Sequence, residues 1–144
     1  HGTQNQGRCS SAFAFAATAV FEARYALRRG LDKAIKLSEQ QALDCSHPDY
    51  SCSAGGHYQG VWWYMTENKY CTAESYFYRA HKLECKTGHC KAIAGNIGYV
   101  EAGKNELSIG FALKFGGPVA LAIDSSIWYL YNEGVVDACE PNKP

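Results

Sequence analysis

Seven cysteines constrain the fold of this 144-residue chain more than any other feature of its sequence. Such a density is typical of proteins that form disulfide bonds in an oxidising compartment, so we expect a secreted or lysosome-like protein. A metal site is the alternative use of so many thiols. The chain contains no C-x-x-C pair and its five histidines are scattered, so no metal is predicted. Because seven is odd, one cysteine is either free or paired with a segment outside this chain.

Composition narrows the class of protein further. The formal net charge is zero, which gives no indication of nucleic acid or of a charged membrane surface as a partner. With 47% hydrophobic and 19% charged residues, the chain is expected to form a packed globule, and its length suits one modest domain. No apolar run is long enough to span a bilayer, and no cofactor is predicted.

Helical signals dominate the first two thirds of the chain. Residues 11–29 form an alanine-rich segment that stops before Gly30, which predicts one long helix. The Ser-Glu-Gln-Gln run at 38–41 predicts a capping box, with Ser38 as N-cap and the Gln41 side chain reaching back to it. This box opens a short helix that ends near residue 45, and a third helix is expected over residues 57–68.

Strand-like patterns appear in the last third of the chain. Residues 97–101 look like a strand, and residues 105–115 predict a short helix that is stopped by the Gly-Gly-Pro run after it. The apolar run at 119–123 predicts a buried strand, and another strand is expected to begin at residues 134–136. Because helices come first and strands last, we expect an α+β fold with two packed subdomains.

Several short motifs occur along the chain in a fixed order, and the ordered set is far more specific than any one of them. They are Gln6-Gly7-Arg8-Cys9, Leu37-Ser38-Glu39-Gln40 with Leu43-Asp44-Cys45, Cys52 with Gly55-Gly56, Glu74-Ser75-Tyr76, Gly117-Pro118-Val119 and Tyr131-Asn132-Glu133-Gly134. In this order they resemble the papain-like cysteine protease family of the cathepsin L-like type. The resemblance covers nearly the whole chain.

The resemblance implies a papain-like two-lobe fold, with a helical left lobe, a β-barrel right lobe and a substrate cleft between them. Residues 1–95 are expected to form the left lobe, and residues 96–144 the first part of the right lobe. The family's catalytic His follows shortly after a cysteine like Cys139, and its Asn comes later, so neither matches a residue of this chain. A second chain is therefore expected to complete the right lobe.

The family's nucleophile position is occupied by Ala12. Alanine has no lone pair with which to attack a carbonyl, so the chain as written is not expected to be a peptidase. Gln6 matches the family's oxyanion-hole donor, although a loop amide that caps the helix is an equal interpretation. Silicateins, which are relatives of this family, carry Ser at the nucleophile position. Here Ser11 lies one step away, which on a helix rotates the side chain by about 100°.

Further departures from the family pattern surround this position. Ser10 replaces a Gly, Phe13 replaces a Trp, Phe77 replaces a Pro, and the glycine loop after Cys52 has one extra residue. These changes favour a natural pseudoenzyme that binds a peptide or protein partner in the old cleft. One alternative is a cathepsin L-like endopeptidase whose catalytic Cys was changed to Ala on purpose. Another is a structural or matrix scaffold, as silicatein relatives are in mineral.

The resemblance also suggests residues that contact a substrate. Gly55 and Gly56 match glycines whose backbone pairs with an extended peptide, although a turn that needs positive φ explains them as well. His57, Tyr58 and Ala122 lie where the family builds its main specificity pocket, and aromatic packing between the lobes is the other interpretation.

The resemblance pairs Cys9 with Cys52 and Cys45 with Cys85. Cys71 and Cys90 are then the remaining cysteines of the left lobe, and we expect them to bridge each other. Cys139 is left over, and a disulfide from it to the second chain is expected.

Overall fold

Helices and one small sheet make up the described part of the chain, which in this computed structural model is residues 2–95, 98–129 and 131–136. The helices are α1 (Ala12–Arg29), α2 (Glu39–Cys45), α3 (Tyr58–Glu67) and α4 (Glu106–Gly116). Strands β1 (Tyr70–Cys71) and β2 (Ala92–Ala94) pair antiparallel, and short 3₁₀ turns lie at Leu31–Lys33 and Ser126–Trp128. All four helices were predicted to within two residues, and the α+β class is confirmed.

The core lies around α1, which packs against both α2 and α3. Ala14 and Ala17 are fully buried on α1, and side chains this small allow the neighbouring helices to approach closely. Phe13 of α1 is also buried, and the other large buried side chains come from the segments that surround the helix: Leu37, Leu43, Val61, Met65 and Tyr70. The beginning of α1 is thereby held rigidly by the core beneath it.

Helix α2 is buried although most of its side chains are polar. The Ser38 hydroxyl accepts a hydrogen bond from the Gln41 N–H at 2.9 Å, as predicted for the N-cap. The second half of the predicted capping box is wrong, because the Gln41 amide bonds the Lys69 carbonyl and the Cys71 N–H instead. The N–H of Ser38 is satisfied by the Cys71 carbonyl. Strand β1 thus provides the acceptor for the Ser38 N–H that the Gln41 side chain was expected to provide.

Three disulfide bonds join distant parts of the described chain. They are Cys9–Cys52, Cys45–Cys85 and Cys71–Cys90, the three pairs that were expected. The first ties the residues before α1 to the glycine loop, and the second ties the end of α2 to residue 85. Cys139 lies outside the described residues, so the disulfide expected for it stays a prediction.

Residues 98–136 depart most from the sequence-based expectations. Asn105 caps α4 by accepting from the Ser108 N–H at 2.8 Å, but no residue of α4 is buried. The strands predicted at 119–123 and 134–136 are wrong: residues 117–125 and 131–136 form none, and Leu121 and Ile123 are more than half exposed. A strand needs a paired edge and a covered apolar face, and the described residues supply neither. Of the strand expected at 97–101, residues 98–101 are irregular and residue 97 lies outside the described residues.

Candidate functional site

Ala12 is the first residue of α1 and its methyl group is exposed to solvent. The neighbouring side chains on either side, Ser11 and Phe13, are both buried. This alternation follows from the helical rotation per residue, which points consecutive side chains in different directions. The position that the sequence analysis aligns with the family's nucleophile therefore lies at the surface, and the methyl group there is chemically inert.

The hydroxyl of Ser11 is committed to an internal hydrogen-bond chain. It lies 2.6 Å from the Tyr78 hydroxyl, and the Tyr78 hydroxyl donates to the Gln6 carbonyl at 2.8 Å. A phenol carries only one proton, so the Ser11 hydroxyl must be the donor in the shorter contact. Ser11 is fully buried and points away from the surface that exposes Ala12. This geometry disfavours a serine mechanism through Ser11.

The loop that carries Gln6 and Gly7 packs against the segment that carries Tyr78 and Ala80. Gly7 adopts a φ of +64°, and a Cβ placed there would lie 3.2 Å from the Cβ of Ala80. Ala80 itself has a φ of +56°, an unusual conformation for a residue with a side chain. Tyr78 and Ala80 together fix the position of the Gln6 loop relative to the beginning of α1. Neither role was predicted, since no local sequence signal marks a left-handed alanine.

The glycine loop lies directly against the beginning of α1. Gly55 has a φ of +73°, and its N–H and carbonyl both pair with Ser51 in a tight turn. A Cβ added at Gly55 would lie 3.5 Å from the Ser10 carbonyl oxygen, and one at Gly56 would lie 2.9 Å from the Phe13 ring. At Gly55 the positive φ favours glycine, and at Gly56 a Cβ would clash with the rings of Tyr50 and Phe13.

The turn changes which glycine can pair with an extended peptide. Because the Gly55 N–H is used by Ser51, it is not available to a ligand. Within the described residues the N–H and carbonyl of Gly56 make no hydrogen bond. The backbone of Gly56 is therefore the group in this loop that an added strand can reach.

The expected pocket residues are only partly brought together. His57 is the exposed N-cap of α3, and the half-buried Tyr58 packs its ring 5.2 Å from that of Trp62. Both follow the glycine loop directly in the chain. Ala122 lies on the exposed, irregular segment after α4. Among the described residues no hydrogen bond joins positions 119–123 to the glycine loop.

A lysine fixes the loop that precedes the glycines. The Lys82 ammonium donates to the carbonyls of His47 and Pro48, at 2.8 Å each, and to that of Tyr50 at 2.5 Å. The Tyr50 ring then packs edge-on against Phe13, with the centroids 5.0 Å apart. A single charged side chain thus sets the position of the aromatic ring that lies under Gly56.

Buried polar residues of α2 anchor the segment that carries Tyr78 and Ala80. The Gln40 amide accepts from the Arg79 N–H and donates to the His81 carbonyl. One carboxylate oxygen of Asp44 accepts from the Leu83 N–H at 2.7 Å, and the other accepts from the Tyr76 hydroxyl at 3.0 Å. Burial raises the pKa of Asp44, and these hydrogen bonds oppose that shift only in part.

The described residues offer no metal centre at this site. No group of three His, Cys, Asp or Glu side chains in residues 2–95, 98–129 and 131–136 is arranged to hold an ion. Over the same residues, no helix has both the length and the apolar character needed to cross a membrane. The site therefore consists of the exposed methyl group of Ala12, the Gln6 loop, which Tyr78 links to Ser11, and the glycine loop, which packs against the beginning of α1.

Comparisons with known proteins agree with this architecture. The model of the papain family cysteine proteases matches residues 1–143. The chain is 35% identical to Vinckepain-1 of Plasmodium vinckei over 142 residues, which is 96% of this chain and 27% of that protein. It is also 35% identical to procathepsin L of Rattus norvegicus over 144 residues, which is 96% of this chain and 42% of that protein. The chain therefore spans less than half the length of these relatives.

Solved structures show the same fold. Digestive procathepsin L 3 of the Tenebrio molitor larval midgut superposes with a TM-score of 0.72 and 26% sequence identity, over 80% of this chain and 38% of that chain. The Carica candamarcensis cysteine protease CMS1MS2, in complex with E-64, gives a TM-score of 0.73 at 23% identity, over 80% of this chain and 54% of that chain. The fold is therefore papain-like, with helices that precede an incomplete right lobe.

Proposed function

The chain belongs to the papain family of cysteine proteases, and from this premise we propose that it is a catalytically inactive member that binds an extended peptide or protein segment instead of cleaving it. The observation that carries the proposal is the exposed Ala12 at the beginning of α1. A thiolate at this position would attack a carbonyl, whereas a methyl group leaves a bound peptide intact.

The proposed ligand follows from the groups around Ala12. Gly56 offers an N–H and a carbonyl that are unused within the described residues, so an extended backbone can add to it as a strand. The Gln6 loop and Tyr58 border the same surface. Hydrogen bonds to the main chain supply affinity without regard to sequence, and side-chain contacts near Tyr58 supply the preference.

Natural loss of function is favoured over a deliberate change by the residues next to Ala12. Ser10 and Phe13, together with the lengthened glycine loop, differ from the family pattern although none of them carries out the chemistry. An engineered cathepsin L-like endopeptidase would change only the nucleophile. The codon at position 12 in genomic DNA separates the two, because a Cys codon would restore the peptidase and an Ala codon would establish the pseudoenzyme.

A partner that completes the right lobe is also proposed. Helix α4 and the segment after it expose several large apolar side chains, among them Leu107, Phe111, Phe115 and Val135. A surface of this kind is usually covered in a stable protein. We propose that a further polypeptide segment of the same fold covers it, linked through Cys139. The three disulfides support a secreted or lysosome-like location for the assembly.

Peptide binding is tested with a matched pair of substitutions on one helix. Ala12→Tyr places a bulky ring on the proposed site, and Ala19→Tyr places the same ring on another exposed position of α1. Fluorescence anisotropy with labelled pools of hydrophobic and aromatic hexapeptides should show binding to the full protein. Ala12→Tyr should abolish it and Ala19→Tyr should not. A scaffold that uses another surface would bind no peptide, or would bind both variants equally.

A further inference from the structure

The last turn of α1 carries the pair Arg28-Arg29, the only place in the 144-residue sequence where two lysines or arginines are adjacent. Both side chains are exposed, and Gly30, at which the helix ends, follows them directly. An endopeptidase that requires two consecutive basic residues before the bond that it cuts therefore has a single matching bond in this chain, the one between Arg29 and Gly30.

Both guanidinium groups are available to a partner. Within the described residues neither one forms an ion pair or a hydrogen bond. Arg29 lies over the Tyr25 ring, 5.8 Å from its centroid, and a cation–π contact of this kind is weak at an exposed position. A guanidinium group binds a carboxylate through paired hydrogen bonds, so Arg28 and Arg29 suit an endopeptidase with two neighbouring acidic subsites.

The chain around the Arg29–Gly30 bond is weakly anchored. Ala26 is the last buried residue of α1, and in residues 27–34 every residue is exposed except the half-buried Gly30. Leu31, the second residue after the bond, exposes 74% of its surface. The 3₁₀ turn that begins there contains no buried residue. No side chain of residues 27–34 is therefore anchored in the core.

Local unwinding of this segment has a low cost. It breaks surface hydrogen bonds, such as those from the Gly30 N–H to the Ala26 carbonyl at 2.9 Å and from the Lys33 N–H to the Gly30 carbonyl at 3.0 Å. Water can replace these partners, because the segment lies at the surface. Residues 27–34 can thus become extended in the cleft of an endopeptidase while the rest of α1 stays packed.

The segment that carries Arg79 and His81 is held more firmly. The buried Gln40 amide accepts from the Arg79 N–H and donates to the His81 carbonyl. The Leu83 N–H donates to the buried Asp44 carboxylate at 2.7 Å. An endopeptidase cannot extend this segment without leaving buried polar groups of α2 unsatisfied. The two segments therefore differ in their anchoring, which supplies a matched control.

We propose that the Arg29–Gly30 bond is a processing site for an endopeptidase that recognises paired basic residues. Hydrolysis breaks the bond between the Arg29 carbonyl carbon and the Gly30 nitrogen. One water supplies a hydroxyl to the carbon and a hydrogen to the nitrogen, which leaves a carboxylate on Arg29 and an amino group on Gly30. The surface at Ala12 contains neither residue, so failure of either proposal leaves the other standing.

The processed protein is expected to remain one molecule. Cys9 is the only cysteine in residues 1–29, and it is bonded to Cys52. The other two described disulfides both join residues that lie after the cut. A single disulfide therefore links the two parts, while α1 stays packed against α2 and α3.

The test is digestion of the folded full protein, in its disulfide-bonded state, with an endopeptidase specific for paired basic residues. Electrophoresis without reductant should show one species, and reduction should release two. Sequencing of the second part from its amino terminus should begin at Gly30. The mass of the unreduced protein should increase by one water.

Two variants assign the cut to this segment. Arg28→Gln leaves Arg29 but removes the pair, so cleavage should slow by at least about tenfold. His81→Arg forms a second basic pair with Lys82 in the firmly held segment, and no cut after Lys82 is expected. The proposal is overturned if only the unfolded parent is cut, if Arg28→Gln is cut as fast as the parent, or if the His81→Arg variant is cut as fast after Lys82 as after Arg29.

Discussion

Tyr78 and Ser11 meet at a hydroxyl–hydroxyl distance of 2.6 Å, although 67 positions separate them in the chain. Through the Tyr78 hydroxyl the contact continues to the Gln6 carbonyl at 2.8 Å. One phenol therefore joins the N-cap of α1 to the loop that carries Gln6. The Gln6 loop and the beginning of α1 are thus held in position relative to each other by Tyr78, which lies far from both in the sequence.

Replacing Tyr78 by Phe should destabilise the protein by about 1–3 kcal/mol, because the Ser11 hydroxyl and the Gln6 carbonyl both lose a buried partner. Urea unfolding of the full protein measures this change. Tyr25→Phe is the control, since the Tyr25 hydroxyl makes no hydrogen bond within the described residues, and it should change stability by less than about 0.5 kcal/mol. Equal effects of the two substitutions would contradict the hydrogen-bond chain.

Lys82→Met should destabilise the protein by about 1.5–3 kcal/mol, because three carbonyl groups lose a charged donor while the apolar stem is retained. The loss should also loosen Tyr50 and, with it, the surface under Gly56. Lys86→Met is the matched control, since within the described residues the Lys86 side chain makes an exposed ion pair with Glu84 and no other polar contact. If hydrogen exchange around Tyr50 is the same in both variants, Lys82 does not hold this loop.

The pH dependence of stability should report the burial of Asp44. Burial raises its pKa above the ordinary value of 3.8, so the folded state binds its proton more tightly than the unfolded state does. Its contribution is therefore fully present below pH 3.8 and is lost as the pH rises through the raised pKa. Between these two values, stability attributable to Asp44 increases as the pH falls.

Comparison with Asp44→Asn isolates this contribution, because the amide does not titrate and its cost is independent of pH. The difference in free energy of unfolding, parent minus variant, should grow as the pH is lowered from 7 towards 4. Lys82 and Tyr76 face the same carboxyl group and are present in both proteins. A difference that shrinks on acidification would mean that the pKa of Asp44 is lowered in the folded state.

Local motifs were enough to predict the four described helices, and the family resemblance gave the three cysteine pairs. The long-range roles of Gln41 and Tyr78 were not accessible, because both depend on which strand or loop folds against them. Ala80 is a further case, since alanine has no preference for the left-handed conformation that it adopts beside Gly7. The strand expected at 119–123 was predicted from its apolar run alone. An apolar run does not form a strand unless another strand pairs with its edge.

The most direct test of the account is whether the protein cleaves a peptide. The full protein is incubated with fluorogenic dibasic and hydrophobic-aromatic peptide substrates, with and without an epoxide that alkylates thiols. Because Ala12 offers no nucleophile, we predict no turnover in either sample, and intact peptide recovered by mass spectrometry. Turnover that the epoxide abolishes would contradict the account, since it would show that a reactive cysteine serves the site and that Ala12 is not the nucleophile position.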